Sequence, residues 1–197
     1  MTHAIFFDVD GVLVPPWRFR DLLEQQHRIT PQMTAPFFRG PFVECVLGRA
    51  RLEDELPRYL EQWGWRDSVA EFIRIWLESE HVLDEQVLRT VDGLRRGDTP
   101  CFIASNQERL RARYLVRDMG LGDRFDGVFF SCDLGLKKPD TEYFVEVARR
   151  SGFAPKTLIL IDDTPACVEA ARAAGWTAYH YTGPAKLFGD LTMLGVG

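Results

Sequence analysis

Carboxylates recur in two tight pairs along the chain: Asp8-Val9-Asp10-Gly11 near the start and Asp162-Asp163 far downstream. Between them lie Ser105-Asn106-Gln107 and Lys137-Lys138-Pro139-Asp140. Brought to one place, the two acidic pairs would repel unless a positive charge sat among them. A hard divalent cation with oxygen ligands meets that need, and Mg²⁺ prefers a few carboxylates together with waters and substrate phosphate oxygens. Beside such an ion one carboxylate can act as a nucleophile, and a second can give and take a proton. A serine hydroxyl and a lysine ammonium can hold oxygens over which charge redistributes. Asp8 and Asp10 flank Val9, so on an extended strand they share a face. A bend at Gly11 turns either the Asp10 carbonyl or its side chain inward.

Such residues must be carried by elements that converge. Five short apolar runs, Ala4–Phe7, Cys101–Ala104, Val128–Phe130, Leu158–Ile161 and Ala178–Tyr181, are mostly continuous rather than alternating. That is the pattern of strands buried on both faces, as in a parallel sheet. Helical spacing is present at Asn106–Met119, Thr141–Arg150 and Pro165–Ala174, each ended by a glycine within two residues. Strand and helix in alternation imply a doubly wound, Rossmann-like α/β sheet, whose ligands bind beyond the carboxyl ends of the strands. Each candidate segment lies at or just past such an end.

The first strand departs from this rhythm, because roughly 90 residues separate Phe7 from Cys101, far more than a strand-to-helix link needs. The interval reads as helices at Phe19–His27, Pro41–Leu47, Leu52–Trp63 and Ser68–Ser79, and it holds Trp17, Trp63, Trp65 and Trp76. We expect a small α-helical cap domain at residues 15–86, inserted into an α/β core of residues 1–14 and 87–197. Pro15-Pro16 forms its hinge. Trp63, Trp65 and Trp76 are expected in the cap's interior, and Trp17 at the mouth of the cleft.

The order DxDG, then Ser after a strand, then KPD, then a strand ending in DD resembles the haloacid dehalogenase superfamily of aspartate-nucleophile phosphohydrolases. The segment Gly48–Glu55 resembles a stretch of the helical cap found in members with an insertion between the first two motifs. The resemblance implies Asp8 as nucleophile and Mg²⁺ ligand. It implies Asp10 as general acid and base, with its main-chain carbonyl also on the metal. Ser105 and Asn106 would bind the phosphoryl group, and Lys138 would neutralise charge between nucleophile and phosphate. Asp163 would bind Mg²⁺ directly, and Asp162 directly or through water. Members that remove halide lack a carboxylate at the position of Asp10, so its presence points to phosphoryl transfer. The expected activity is Mg²⁺-dependent hydrolysis of a small phosphorylated metabolite, a sugar phosphate for example, through an aspartyl-phosphate. Two alternatives stand beside it: a phosphomutase resembling β-phosphoglucomutase, and a non-enzymatic aspartate phospho-acceptor module.

Composition agrees with that reading and excludes others. The chain has 197 residues, 46% of them apolar or aromatic, and 24 basic against 29 acidic side chains give a net charge of −5. That is a globular composition, too rich in large apolar groups for disorder. An extended nucleic-acid surface would favour a basic balance. The apolar runs are too short for a membrane span or a leader, and the four cysteines have no metal-site spacing. A cytoplasmic protein with reduced thiols is expected, and no signal for its oligomeric state is present. Ser105-Asn106-Gln107-Glu108 also has the form of a helix-capping box. Arg109, Arg113 and Arg117 form one solvated helix row.

Overall fold

A computed structural model describes residues 3–16 and 18–193, so Trp17 lies outside the described residues. Within them the five apolar runs become strands β1 (Ala4–Phe7), β2 (Cys101–Ser105), β3 (Gly127–Phe130), β4 (Leu158–Asp162) and β5 (Thr177–His180). They pair in parallel in the order β3-β2-β1-β4-β5. Side chains alternate across each strand, so Ile5 and Phe7 enter one apolar layer while Ala4 and Phe6 enter the opposite one. This two-sided burial is why the strand sequences are apolar without a break.

Helices cover both layers. On one face lie α7 (Glu85–Arg96), α8 (Arg109–Arg117) and α13 (Pro184–Met193), through Val91, Leu115 and Leu187 among others. On the other lie α11 (Thr141–Ser151) and α12 (Pro165–Ala173), through Phe144, Val147 and Val168. Short helices α9 (Leu121–Arg124) and α10 (Ser131–Leu134) flank β3. The strand order reverses at β1, and that switch point opens a crevice at the carboxyl ends of the strands. All four cysteines are buried and unpaired.

Between β1 and α7 the chain forms α1 (Arg18–His27), α2 (Pro31–Phe38), α3 (Pro41–Val46), α4 (Leu52–Glu55), α5 (Pro57–Gln62) and α6 (Val69–Ser79). They enclose a third apolar cluster containing Phe37, Leu56, Phe72 and the three tryptophans Trp63, Trp65 and Trp76. Two details differ from the sequence expectation. The helix at 52–63 is split, because Pro57 lacks the N–H that a continuous helix would need and instead starts α5. A helix at 31–38 is additional; Thr30 caps it by accepting from the Met33 amide, and Pro31 sits in its first turn.

The two ends of this helical stretch meet, since the Asp84 amide donates to the Leu13 carbonyl at 2.8 Å. A second tie lies at Val46–Gly48. Ser131 Oγ donates to the Val46 carbonyl at 2.7 Å, and Arg109 donates to the Gly48 carbonyl at 3.1 Å. Gly48 has a φ of +69°, and a Cβ there would lie 2.2 Å from the Cys132 carbonyl oxygen. Only glycine allows this approach.

Candidate active site

Four of the strand ends deliver their side chains to one crevice. Asp8 follows β1, whose pairing with β4 continues as the Asp8 amide donates to the Ile161 carbonyl at 3.0 Å. Its Oδ1 accepts from the Val9 amide at 2.7 Å, which fixes the carboxylate against the chain. Lys138 is buried between two acids, with Nζ 2.9 Å from Asp8 Oδ2 and 2.5 Å from Asp162 Oδ2. Asn106 holds the lysine from behind: its amide nitrogen donates to the Lys138 carbonyl and its oxygen accepts from the Lys138 amide, both at 2.9 Å. The side chain of Asn106 therefore fixes the position of Lys138 while the residue lines the cleft.

The electrostatics arise from this burial. Desolvation pushes the Asp8 carboxyl up to about 7, with Lys138 pulling it down and Asp162 pushing it further up. Burial works to lower Lys138, but Asp8 and Asp162 outweigh it and hold the ammonium above the ordinary lysine range. Asp163, half-buried, is raised by burial and by its neighbour Asp162.

Asp8, Asp162 and Asp163 each offer one oxygen, and these lie within 4.8 Å of one another. The set is all oxygen and all anionic, which suits a hard divalent cation. The two members of the downstream pair differ. Asp162 is fully buried and has both oxygens engaged, one by Lys138 and one by the Thr164 amide at 2.8 Å. Asp163 accepts from the Thr164 hydroxyl through Oδ1 at 3.2 Å, and its Oδ2 lies beside Gly11. Gly11 has a φ of +83°, and a Cβ added there would fall 2.0 Å from that oxygen. The glycine thus supplies both the turn after Asp10 and the space in which Asp163 sits.

Asp10 points elsewhere. Its side chain is 51% exposed, and it accepts from Arg111 at 2.5 Å through Oδ1 and from Gln107 Nε2 at 2.8 Å through Oδ2. The same Gln107 nitrogen donates to Ser105 Oγ at 3.0 Å, and Gln107 Oε1 accepts from Arg111 Nε at 3.0 Å. Arg111 is only 4% exposed and also donates to Glu80 just beyond α6. Glu80 in turn accepts from Trp76 Nε1 at 3.1 Å. Burial raises the Glu80 carboxyl, and Arg111 opposes that rise. One guanidinium thus joins the loop after β1 to the end of the helical insertion.

Arg111 and Glu80 are site residues that the sequence motifs do not mark, and Gln107 lies in a marked segment without a role assigned to it. The capping-box pattern masks Gln107. In the structure Glu108, not Ser105, caps α8, accepting from the amides of Leu110 and Arg111, and the helix starts at Arg109 rather than Asn106. Ser105 to Gln107 are thereby released into the crevice. Arg111 carries a legible signal: it falls with Ala112 and Leu115 on the apolar side of α8, away from the exposed row of Arg109, Arg113 and Arg117. A charged residue in a buried stripe needs a partner.

Known proteins resemble this chain in sequence and in fold. The phosphorylated carbohydrates phosphatase of Thermotoga maritima is 25% identical over 182 residues, covering 88% of this chain and 82% of its own. The phosphoglycolate phosphatase of Chromobacterium violaceum is 27% identical over 205 residues, covering 96% and 91%. A crystal structure of a HAD family enzyme from Bacteroides thetaiotaomicron, an aspartate-to-alanine mutant in complex with magnesium and inorganic phosphate, superposes with a TM-score of 0.81 at 18% identity. That match covers 95% of this chain and 99% of the other. The family model for haloacid dehalogenase-like hydrolases matches residues 2–175, most of the chain. With that match and the parallel sheet that carries the four motifs, the chain belongs to the haloacid dehalogenase-like hydrolase family.

Proposed function

We propose that the protein is a Mg²⁺-dependent phosphomonoester hydrolase that acts on small phosphorylated molecules through an aspartyl-phosphate at Asp8. The observation that carries this is the juxtaposition of Asp8, paired with buried Lys138 beside Asp162 and Asp163, with a second carboxylate, Asp10, held two residues away by Gln107 and Arg111. The phosphatase names of the full-length relatives support it. Asp8, Asp163 and the Asp10 carbonyl would hold Mg²⁺. Asp162, with both oxygens already engaged, would act on it from behind, through water. When bound, the ion supplies positive charge to the phosphoryl oxygens and the surrounding carboxylates.

Asp8 Oδ attacks phosphorus, and the ester P–O bond breaks as the new one forms. Lys138 and Ser105 stabilise the charge carried by the phosphoryl oxygens, and Asn106 keeps Lys138 in place. Asp10 gives its proton to the departing alkoxide. It then takes a proton from the water that attacks the aspartyl-phosphate, returning Asp8 and releasing phosphate. Residues 15–86 serve as a cap that excludes bulk water, hinged where Leu13 meets Asp84. That α7 begins at Glu85 and packs into the core layer supports a cap ending near its first turn.

The direct test is phosphate release from a generic aryl phosphate. Activity is expected with Mg²⁺, absent after chelation and restored by adding the ion back. Chelator-insensitive turnover would contradict the proposal. Release of free phosphate, rather than an isomerised sugar phosphate, separates hydrolysis from the mutase reaction.

The Asp10 network leads to a second expected result. Arg111→Lys keeps the charge but cannot hold three acceptors in one planar fork. A misplaced general acid costs up to roughly 100-fold in rate. The variant should therefore lose about 10- to 100-fold in kcat on an alkyl phosphate. Nitrophenyl phosphate, whose leaving group needs little protonation, should lose much less in the first, phenolate-releasing step. Equal losses on both in that first step, read as the pre-steady-state burst of alcohol or phenolate, would place Arg111 outside proton delivery to the leaving group.

A further inference from the structure

The crevice extends well beyond the carboxylates, as a cavity of about 610 Å³ roofed by the helical insertion. That is room for far more than a phosphoryl group, within the usual range of sites that engulf an organic ligand. Its two ends differ in chemistry. The floor holds Asp8, Asp10, Ser105, Asn106, Lys138 and Asp163. The roof is built mainly from Phe19, Leu23, Ile29, Phe38, Phe42 and Trp76.

The aromatic members of the roof brace one another. Phe19 stacks on Trp76 with centroids 5.2 Å apart and planes 9° from parallel. Phe38 meets Phe42 edge-on at 5.1 Å, and both reach Trp76, at 5.9 and 5.6 Å. Phe38 and Phe42 remain only half-buried.

Polar groups in this roof are few and mostly committed. Trp76 Nε1 donates to Glu80, and the Thr34 hydroxyl donates to the Pro31 carbonyl at 3.3 Å. Glu80 is taken by Arg111. Arg20 and Arg39 also line the cavity and are exposed, and Arg20 pairs with Asp21 at 3.1 Å. A polyol placed against the roof would lose water from its hydroxyls and find few partners, an unfavourable exchange. An apolar group would cover the open faces of Phe38 and Phe42 and gain from leaving water.

Resting on the phosphatase reading above, we infer that the alcohol released by this enzyme is largely apolar, an aliphatic or aromatic body seated against Phe38, Phe42 and Trp76, rather than a sugar. The cap then supplies specificity by burial, and the phosphate supplies the anchor at the floor.

The test is kcat/KM with Mg²⁺ across straight-chain alkyl phosphates of increasing length, kept below their aggregation concentrations. Glucose 6-phosphate and glycerol phosphate serve as polar comparators, and acetyl phosphate as a substrate whose small leaving group makes no use of the roof. Each methylene buried should raise kcat/KM about fourfold, mainly through KM, because such contacts bind substrate and transition state alike. Phe38→Ser is expected to flatten the slope. A flat wild-type profile, or a polar comparator that outperforms the longest alkyl phosphate, would overturn the inference, and acetyl phosphate turnover would then leave the phosphatase reading standing. If no compound in the set yields phosphate, both fall.

Discussion

Asp8→Asn is expected to lower kcat by roughly 10⁴-fold or more, the scale seen when a covalent nucleophile is removed. An amide oxygen is a poor nucleophile, so the substituted side chain forms no acyl-phosphate at a useful rate. The fold should tolerate the change. Asparagine is isosteric, its one oxygen can accept from either the Val9 amide or Lys138 though not both, and Lys138 keeps its pairing with Asp162. The variant also removes one of two carboxylates buried around a single ammonium. Its melting temperature should therefore be no lower than that of the wild type without metal. Loss of activity together with a large loss of stability would instead assign Asp8 a structural role.

Lys138→Met should do the opposite to stability. Lys138 is the cation that faces both Asp8 and Asp162, and its removal leaves two buried carboxylates with only backbone amides and no counter-charge. Breaking a buried pair from one side costs about 3–5 kcal/mol. For a chain of this size that corresponds to a melting temperature lower by roughly 10 °C. Activity should fall by about 10²- to 10³-fold, the usual effect of removing one group that stabilises developing charge. Added Mg²⁺ should recover part of the lost stability, because it binds the folded carboxylate cluster and not the unfolded chain. A variant that melts like the wild type would show that Asp8 and Asp162 find compensation elsewhere.

The strands are legible in the sequence because burial on both faces removes polar residues from them. Three of their carboxyl ends are marked by polar residues directly at the end of the apolar run, and Lys138 follows β3 only after α10. The helical insertion is legible as a break in the strand–helix rhythm. The features that escape a sequence reading depend on contacts remote along the chain. Arg111 meets Asp10 across about 100 positions, and nothing local to either residue indicates the other. Ser105 illustrates a different limit. Its capping pattern is real as a string, but Glu108 fills the cap and leaves the loop to the site. The helix at 31–38 is obscured despite its Thr30-Pro31 start, because Pro36 lies inside it. The apolar roof is not readable either, since a core phenylalanine and a cleft phenylalanine have the same signature in sequence.

The central claim, that Asp8 is phosphorylated in each turnover, is tested most directly by trapping that state. A radiolabelled phosphate ester mixed with enzyme and Mg²⁺, then quenched in acid within one turnover, should leave label bound as an acyl-phosphate. Borohydride should release that label as phosphate and reduce the acylated side chain to an alcohol, and peptide mapping should find the resulting homoserine at position 8. With an aryl ester, whose leaving group needs little protonation, the amount of label should rise in Asp10→Asn, which then slows mainly the second step, and vanish in Asp8→Asn. Full release of phosphate in a single turnover with no label on Asp8, in wild type and in Asp10→Asn alike, would contradict the account.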